Sequence, residues 1–260
     1  MDDKPERLEN PLPHPAADRV RRHRLSTRIW HWINALTVII MLMSGLMILN
    51  AHPRLYWGAY GANSDPAWLT LGAEGAAPVP GWITIPSTYS PATARLWHLS
   101  FAWVLAAGLL AYLVWSLLNG HLRRDIAPRS AELTPRHLWQ DICDHARLRF
   151  PKGEAAARYN ILQKLAYGGV LLIVLPLVIL TGLAMSPAID ALWHGLPDAF
   201  GGRQSARSIH FLCAAALVAF FIVHMAMVLL AGPVNEVRSM ITGWFDLPPD
   251  PADKGESDHG

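Results

Sequence analysis

Apolar residues along this chain come in four long blocks: Ile29 to Leu49, Leu96 to Leu118, Leu165 to Met185 and Ser208 to Ala231. None of the four contains Asp, Glu, Lys or Arg. A helix needs about 20 consecutive, mostly apolar residues to cross the hydrocarbon core of a bilayer. Each block meets that length, so the pattern predicts four transmembrane helices. Lipid cannot satisfy an open strand edge, and no period-two alternation suggests a barrel. The expected fold class is therefore all-α, an integral membrane four-helix bundle. The domain limits read as a polar tail over residues 1–24, a four-span domain over 25–244, and a Pro-rich, charged tail over 245–260 that reads as disordered.

Basic residues orient the spans. The segment up to Arg28 holds seven Lys and Arg, and the segment from His121 to Lys164 holds nine. The loops between spans one and two and between spans three and four hold two each, Arg54 with Arg95 and Arg203 with Arg207. The positive-inside rule then predicts that both termini and the middle loop are cytoplasmic. The N-terminal segment has no apolar core of a secretory signal. The outward loop from Asn50 to Ala94 carries Tyr56, Trp57, Tyr60, Trp68, Trp82 and Tyr89. It reads equally as an interfacial aromatic belt and as a docking surface for a partner outside the cytoplasm. In the inner loop, Leu138, Trp139, Ile142 and Ala146 recur at helical spacing, which predicts a short amphipathic helix on the membrane surface.

Composition narrows the function classes. The 260 residues are 52% apolar and 16% charged, against about 25% charged in a soluble domain. A net charge of +2 without a basic stripe does not suggest a nucleic-acid binder. The two cysteines, Cys143 and Cys213, are too few for a zinc or iron–sulfur site, and the absence of CxxCH excludes covalent haem.

Four of the twelve histidines lie inside spans: His31, His98, His210 and His224. An ionisable residue at membrane depth is a functional candidate. His210 and His224 are 14 residues apart on span four, which on a helix is about 21 Å of rise and nearly the same face. His31 opens span one and His98 opens span two, so depth pairs His98 with His210 and His31 with His224. Each pair can supply the two axial nitrogens of one haem iron, and the neutral imidazole this requires lowers the cost of burial. Span three lacks His and serves as a wall, with Pro176 predicting a kink. Arg28, Arg95 and Arg207 each precede one of these histidines by three residues. On a helix that places the guanidinium one turn nearer water, where a haem propionate would emerge. Span glycines such as Gly45 and Gly182 suit ordinary helix packing. A short echo links Ser44-Gly-Leu-Met-Ile48 with Thr181-Gly-Leu-Ala-Met185.

The stretches RIWHWINA (28–35), RLWHLSFAW (95–103) and RSIHFLCAAALVAFFIVH (207–224) resemble the bacterial dihaem cytochrome b family. That family takes in cytochrome b-561, the Ni/Fe-hydrogenase cytochrome b, formate dehydrogenase gamma and the thiosulfate reductase cytochrome b. The likeness runs from about Leu25 to Trp244. It implies two non-covalent haem b groups stacked across a bacterial inner membrane, held by His98/His210 on the outer side and His31/His224 on the inner. The segment RYNILQKLAYGG (158–169) resembles the start of span three in the formate dehydrogenase type, where a Tyr-Asn-x-x-Gln-Lys motif lies at a quinone site. This implies a quinone site at Tyr159, Asn160, Gln163 and Lys164, with the Asn160 amide donating to a quinone carbonyl. The same residues also suit a helix cap and a snorkelling anchor. The start of span three does not match the hydrogenase type. The long aromatic outer loop fits the thiosulfate-reductase-like members, whose partners are periplasmic oxidoreductases, often molybdopterin enzymes.

The expected function is an electron-transfer subunit of an oxidoreductase complex, rather than a complete enzyme, linking the quinone pool to a periplasmic redox protein. Two rivals stand beside it. One is a stand-alone superoxide:quinone oxidoreductase, which would not need the long outer loop. The other is a His-relay transporter, which calls for intramembrane carboxylates and broken, repeat-paired helices; the spans have no carboxylates, and only Pro176 interrupts one.

Overall fold

The computed structural model describes residues 19–62, 64–73, 77–120, 122, 127–128, 133–147 and 161–247. Four helical spans dominate it, as the hydropathy pattern predicts, and the fold is an all-α membrane bundle. The helices run past the apolar limits at most of their ends. Span one is α1, Leu25–Ala51, and span two is α2, Pro91–Leu118. Span three is composite: α4, Ile161–Gly169, a π-helical turn over Val170–Val174, and α5, Leu175–Ala184. Span four is α8, Arg203–Ala231. A short helix, α3, covers Pro135–Ala146 in the middle loop, with Trp139 and Ile142 exposed as an amphipathic surface helix requires. Two short helices, α6 (Pro187–Leu192) and α7 (Gly195–Ala199), link spans three and four, and α9 (Pro233–Thr242) follows span four.

Local chemistry sets the helix limits. Pro91 lies in the first turn of α2, where a missing N–H costs nothing. Gly120, at φ +70°, follows its last turn, and Gly232, at φ +107°, ends α8. The π-helical turn has a clear cause. Pro176 cannot donate to a carbonyl four residues back, and its ring crowds that carbonyl. The preceding turn widens, so that the Leu175 N–H reaches the Val170 carbonyl five residues away.

The bundle carries its apolar bulk outward. Leu96, Trp103, Leu110, Leu117 and Ile222 are all more than half exposed, as side chains facing lipid must be. Many of the most deeply buried side chains are small or hydroxylated: Thr37, Ser44, Ala94, Ser116, Thr181, Ala184, Ala206 and Ser208. Small residues allow the backbones of membrane helices to approach closely. A compact apolar cluster of Leu105, Leu109, Leu171, Leu175, Val178 and Cys213 ties spans two, three and four together. Span one packs mainly on span two, and α5 on α8, so the bundle is two hairpins laid side by side.

The two ends of the bundle differ. At one end, strand β1 (Arg19–Arg21) pairs antiparallel with strand β4 (Trp244–Asp246), Val20 opposite Phe245. Hydropathy alone had set residues 19–21 in one polar tail and Phe245–Asp246 in the other. Below this latch the Arg22 guanidinium lies 4.5 Å from the centre of the buried Phe245 ring and donates from Nη1 to both Glu236 carboxylate oxygens, at 3.1 and 3.0 Å. Asp246 receives Arg19 Nε at 2.8 Å and also pairs with Arg238. These bonds, Arg238 first, hold its carboxyl below the usual carboxylate range. The Asn235 amide bonds the Asp246 backbone in both directions, at 2.7 and 3.0 Å.

At the other end, the loop between spans one and two folds back over the bundle. Strands β2 (Arg54–Leu55) and β3 (Leu69–Thr70) pair antiparallel. The Asn50 amide exchanges two 2.9 Å hydrogen bonds with the Val79 backbone. The Gly58 carbonyl accepts the N–H groups of Gln204 and Ser205, at 3.0 and 3.1 Å, and so caps the start of α8.

Candidate functional site

The four span histidines fall into two pairs, as their depths predict. At the latch end, His31 near the start of α1 faces His224 near the end of α8, ring centroids 6.3 Å apart. At the loop end, His98 near the start of α2 faces His210 in the second turn of α8, centroids 6.1 Å apart. The 14 residues between His210 and His224 set the two pairs about 21 Å apart along α8.

These separations have a chemical meaning. An imidazole nitrogen binds a first-row metal at about 2.0 Å and lies about 1.2 Å from its ring centre, so two rings binding one metal from opposite sides would stand about 6.4 Å apart. Both pairs lie close to that spacing. Among the described residues, no group of three or more His, Cys, Asp or Glu converges as a metal site. Each pair is thus a two-donor site, suited to a metal whose remaining ligands come with it, as a porphyrin's four nitrogens do.

The supports of the two pairs differ. His98 Nδ1 lies 3.1 Å from the Met41 carbonyl and 3.1 Å from Ser44 Oγ. His210 Nδ1 lies 2.9 Å from the Val178 carbonyl and 3.1 Å from Thr181 Oγ1. A carbonyl only accepts, so in both rings Nδ1 carries the proton and Nε2 keeps its lone pair. Glycines make room for the rings: a Cβ on Gly45 would come 3.3 Å from His98 Cε1, and one on Gly182 would come 3.5 Å from His210 Cε1. At the latch end, Phe220 stacks on His224 at 5.8 Å and 9°, and Tyr167 packs edge-on to Phe220. His31 Nδ1 and Arg28 Nε, both at this end, are buried polar atoms with no hydrogen-bond partner among the described residues.

The arginines are placed unequally. Arg28 is half-buried and lies against Gly243. Arg207 is half-buried and donates to the His52 carbonyl, so it joins α8 to the loop between spans one and two. Arg95 is exposed. Around Arg207 the loop is fastened by further bonds. Trp68 Nε1 donates to Ser208 Oγ at 2.9 Å, and Ser208 Oγ donates to the Tyr56 carbonyl at 2.6 Å. Partial burial, then Arg207 and Arg54, push the His52 imidazole below its usual pKa. Of the quinone-motif residues, Gln163 and Lys164 lie in the first turn of α4, Lys164 buried. Tyr159 and Asn160 lie outside the described residues.

Sequence reasoning missed Ser44, Thr181 and the carbonyls of Met41 and Val178. The signal was present as the echo between residues 44–48 and 181–185. It marks the same shelf in each hairpin: a hydroxyl residue and then a glycine, facing an Arg-x-x-His turn on the next span.

Known proteins share sequence with most of this chain. Residues 22–243 match the family described as prokaryotic cytochrome b561. A protein of Azospira oryzae, named as the YedZ1 subunit of a protein-methionine-sulfoxide reductase, is 30% identical over 203 residues, covering 78% of this chain and 87% of that one. Proteins of Cupriavidus necator and Azotobacter vinelandii, named as B-type cytochrome subunits of Ni/Fe-hydrogenase, are each 24% identical over 230 residues. They cover 84% of this chain and 83% and 84% of their own lengths. No solved structure matches significantly. With four membrane-length helices and a family match over most of its length, the chain is a multi-pass protein of the bacterial inner membrane and belongs to the prokaryotic cytochrome b561 family.

Proposed function

We propose that this chain is a dihaem cytochrome b that carries electrons across the membrane between a quinone and a redox enzyme at its loop end. Membership of the family implies b-type haem and membrane electron transfer. The observation that carries the finer reading is the two histidine pairs, one towards each end of the bundle, both at the spacing of axial ligands on one metal. His98 and His210 hold the loop-end haem, and His31 and His224 hold the latch-end haem. The protonated Nδ1 of His98 and of His210 leaves Nε2 free to bind iron. Haem, when bound, supplies a one-electron couple, and a protein ligand on both faces keeps the iron to electron transfer.

Arg207 and Arg95, one turn towards the loop end from their histidines, suit the propionates of one haem. Arg28 suits those of the other, and its unpartnered buried Nε is the kind of donor a carboxylate would satisfy. Gln163 and Lys164, with Tyr159 and Asn160, are the proposed quinone-binding residues at the latch end. The N-terminal and middle segments hold most of the basic residues, so the latch end faces the cytoplasm and the loop end faces outward. The loop end presents Trp57, Tyr60, Trp82 and Tyr89 exposed on a folded cap, which supports a docking surface there. The partner is a periplasmic oxidoreductase of the molybdopterin class. The higher identity to the methionine-sulfoxide reductase subunit than to the hydrogenase subunits supports a reductase.

A reduced-minus-oxidised spectrum with a pyridine haemochrome assay tests this reading. About two low-spin b haems per chain are expected, falling to one in His98→Ala and in His224→Ala. One haem in the native chain removes one pair, and none removes the reading altogether.

A further inference from the structure

The two hairpins of the bundle meet the loop-end histidines in the same way. Ser44 of span one and Thr181 of span three each donate their hydroxyl proton to the carbonyl four residues back, Ile40 and Leu177, at 2.7 Å in both cases. Each then stands 3.1 Å from the Nδ1 of the histidine on the following span. A hydroxyl has one proton. With that proton given to its own helix, the oxygen can only accept from the imidazole N–H. The carbonyl three residues back, Met41 or Val178, accepts from the same N–H. Both hydroxyl side chains are fully buried, at 0% exposure, so water does not compete for the bond. The His31 Nδ1 at the latch end has no such acceptor among the described residues.

An acceptor on Nδ1–H fixes the tautomer and the ring orientation, and it raises the electron-donating power of Nε2. A stronger axial donor favours the oxidised iron. We propose that Ser44 and Thr181 are a matched pair of positioning residues that hold His98 and His210 as ligands and lower the midpoint potential of the loop-end haem. The proposal rests on the reading that His98 and His210 are that haem's axial ligands.

The experiment is a potentiometric titration of the full-length, haem-loaded protein, followed by absorbance and by the low-temperature EPR spectrum of the ferric haems. Ser44→Ala, Thr181→Val and Thr181→Ser are compared with the native chain, and His98→Ala identifies the loop-end wave as the one it removes. Ser44→Ala and Thr181→Val are expected to move that wave to higher potential and leave the other in place. Thr181→Ser, which keeps the hydroxyl, is expected to move neither. If Thr181→Val does not assemble, Ser44→Ala reads the same effect through His98. Full haem content with both waves unmoved in Ser44→Ala overturns the proposal and leaves the ligand assignment standing. Retention of both haems by His98→Ala overturns the ligand assignment itself.

Discussion

Gly202, the residue before α8, offers a quantitative test of how the loop between spans one and two positions span four. Its φ is +105°, a conformation that costs an L residue about 1–2 kcal/mol. A Cβ there would also lie 2.5 Å from Ala59 Cα, 2.6 Å from Ala59 N and 2.7 Å from the Gly58 carbonyl carbon. All three are backbone atoms, so no rotamer change relieves the contact. Restoring ordinary van der Waals distance requires the loop to retreat by roughly 0.9 Å. That retreat strains three bonds: Gly58 O with the N–H groups of Gln204 and Ser205, and the Gly58 N–H with Ser205 Oγ at 2.7 Å. At about 1 kcal/mol for each bond, on top of the backbone term, Gly202→Ala is expected to cost about 4–5 kcal/mol. Gly201→Ala is the control. Its φ is +77°, but its Cβ would meet only the Ser205 side chain, at 3.6 Å, so it pays the backbone term alone, about 1–2 kcal/mol. Thermal unfolding in one detergent, followed by far-ultraviolet circular dichroism, compares the two. At about 2–4 °C per kcal/mol, Gly202→Ala should melt at least about 6 °C below Gly201→Ala. Equal melting of the two variants would refute the idea that the loop is packed rigidly against α8.

Glu236→Ala leaves the nine-tenths-buried Arg22 guanidinium without its carboxylate; the same melts should show a loss of about 3 kcal/mol, much of it recovered in Arg22→Met/Glu236→Leu. The depressed carboxyl of Asp246 contributes stability that is full above the ordinary Asp value of 3.8 and is lost as pH falls through the lower folded value. Asp246→Asn should abolish that acid-side dependence in melts run as a pH series. His52 titrates in the opposite sense of charge: its folded pKa is lowered, so the native state binds this proton less readily than the unfolded chain does. Stability is full above the ordinary 6.5 and falls as pH drops below it, and His52→Gln should flatten the curve there. Trp68→Phe removes the indole bond to Ser208 and should cost about 1 kcal/mol in the same assay, since Ser208 keeps its bond to Tyr56.

The spans were legible because membrane solvation leaves a coarse record: four uncharged blocks of the right length, and four histidines placed by depth, one in each of spans one and two and two in span four. The pairing of His98 with His210 and of His31 with His224 followed from depth: the helical rise along span four and the ends at which His31 and His98 open their spans. Pro176 marked the disturbed turn, although sequence could not say that it would take π form. What escaped was contact between segments far apart in the chain. Nothing in Arg19-Val-Arg21 announces a strand, because its partner, Trp244 to Asp246, lies more than 220 residues away and only the paired state buries Phe245. The seat of His98 was hidden for a similar reason. Ser44 in an apolar block reads as a helix-packing residue, and only the echo at Thr181 hinted that two hairpins repeat one arrangement.

The β1–β4 latch also has a consequence for the order of assembly. Its two strands are joined by the whole of the membrane domain, so the first described residues of the chain must wait for nearly the last before they pair. By then all four spans have been synthesised, and their apolar lengths alone are enough to place them in the bilayer. The Arg22–Glu236 pair and the Phe245 contact are late events of the same kind. During biogenesis, the end of the bundle that carries His31 and His224 is therefore the last to close. A chain stopped after Thr242 should insert its four spans yet leave Arg22 open to protease, whereas the complete chain should protect it.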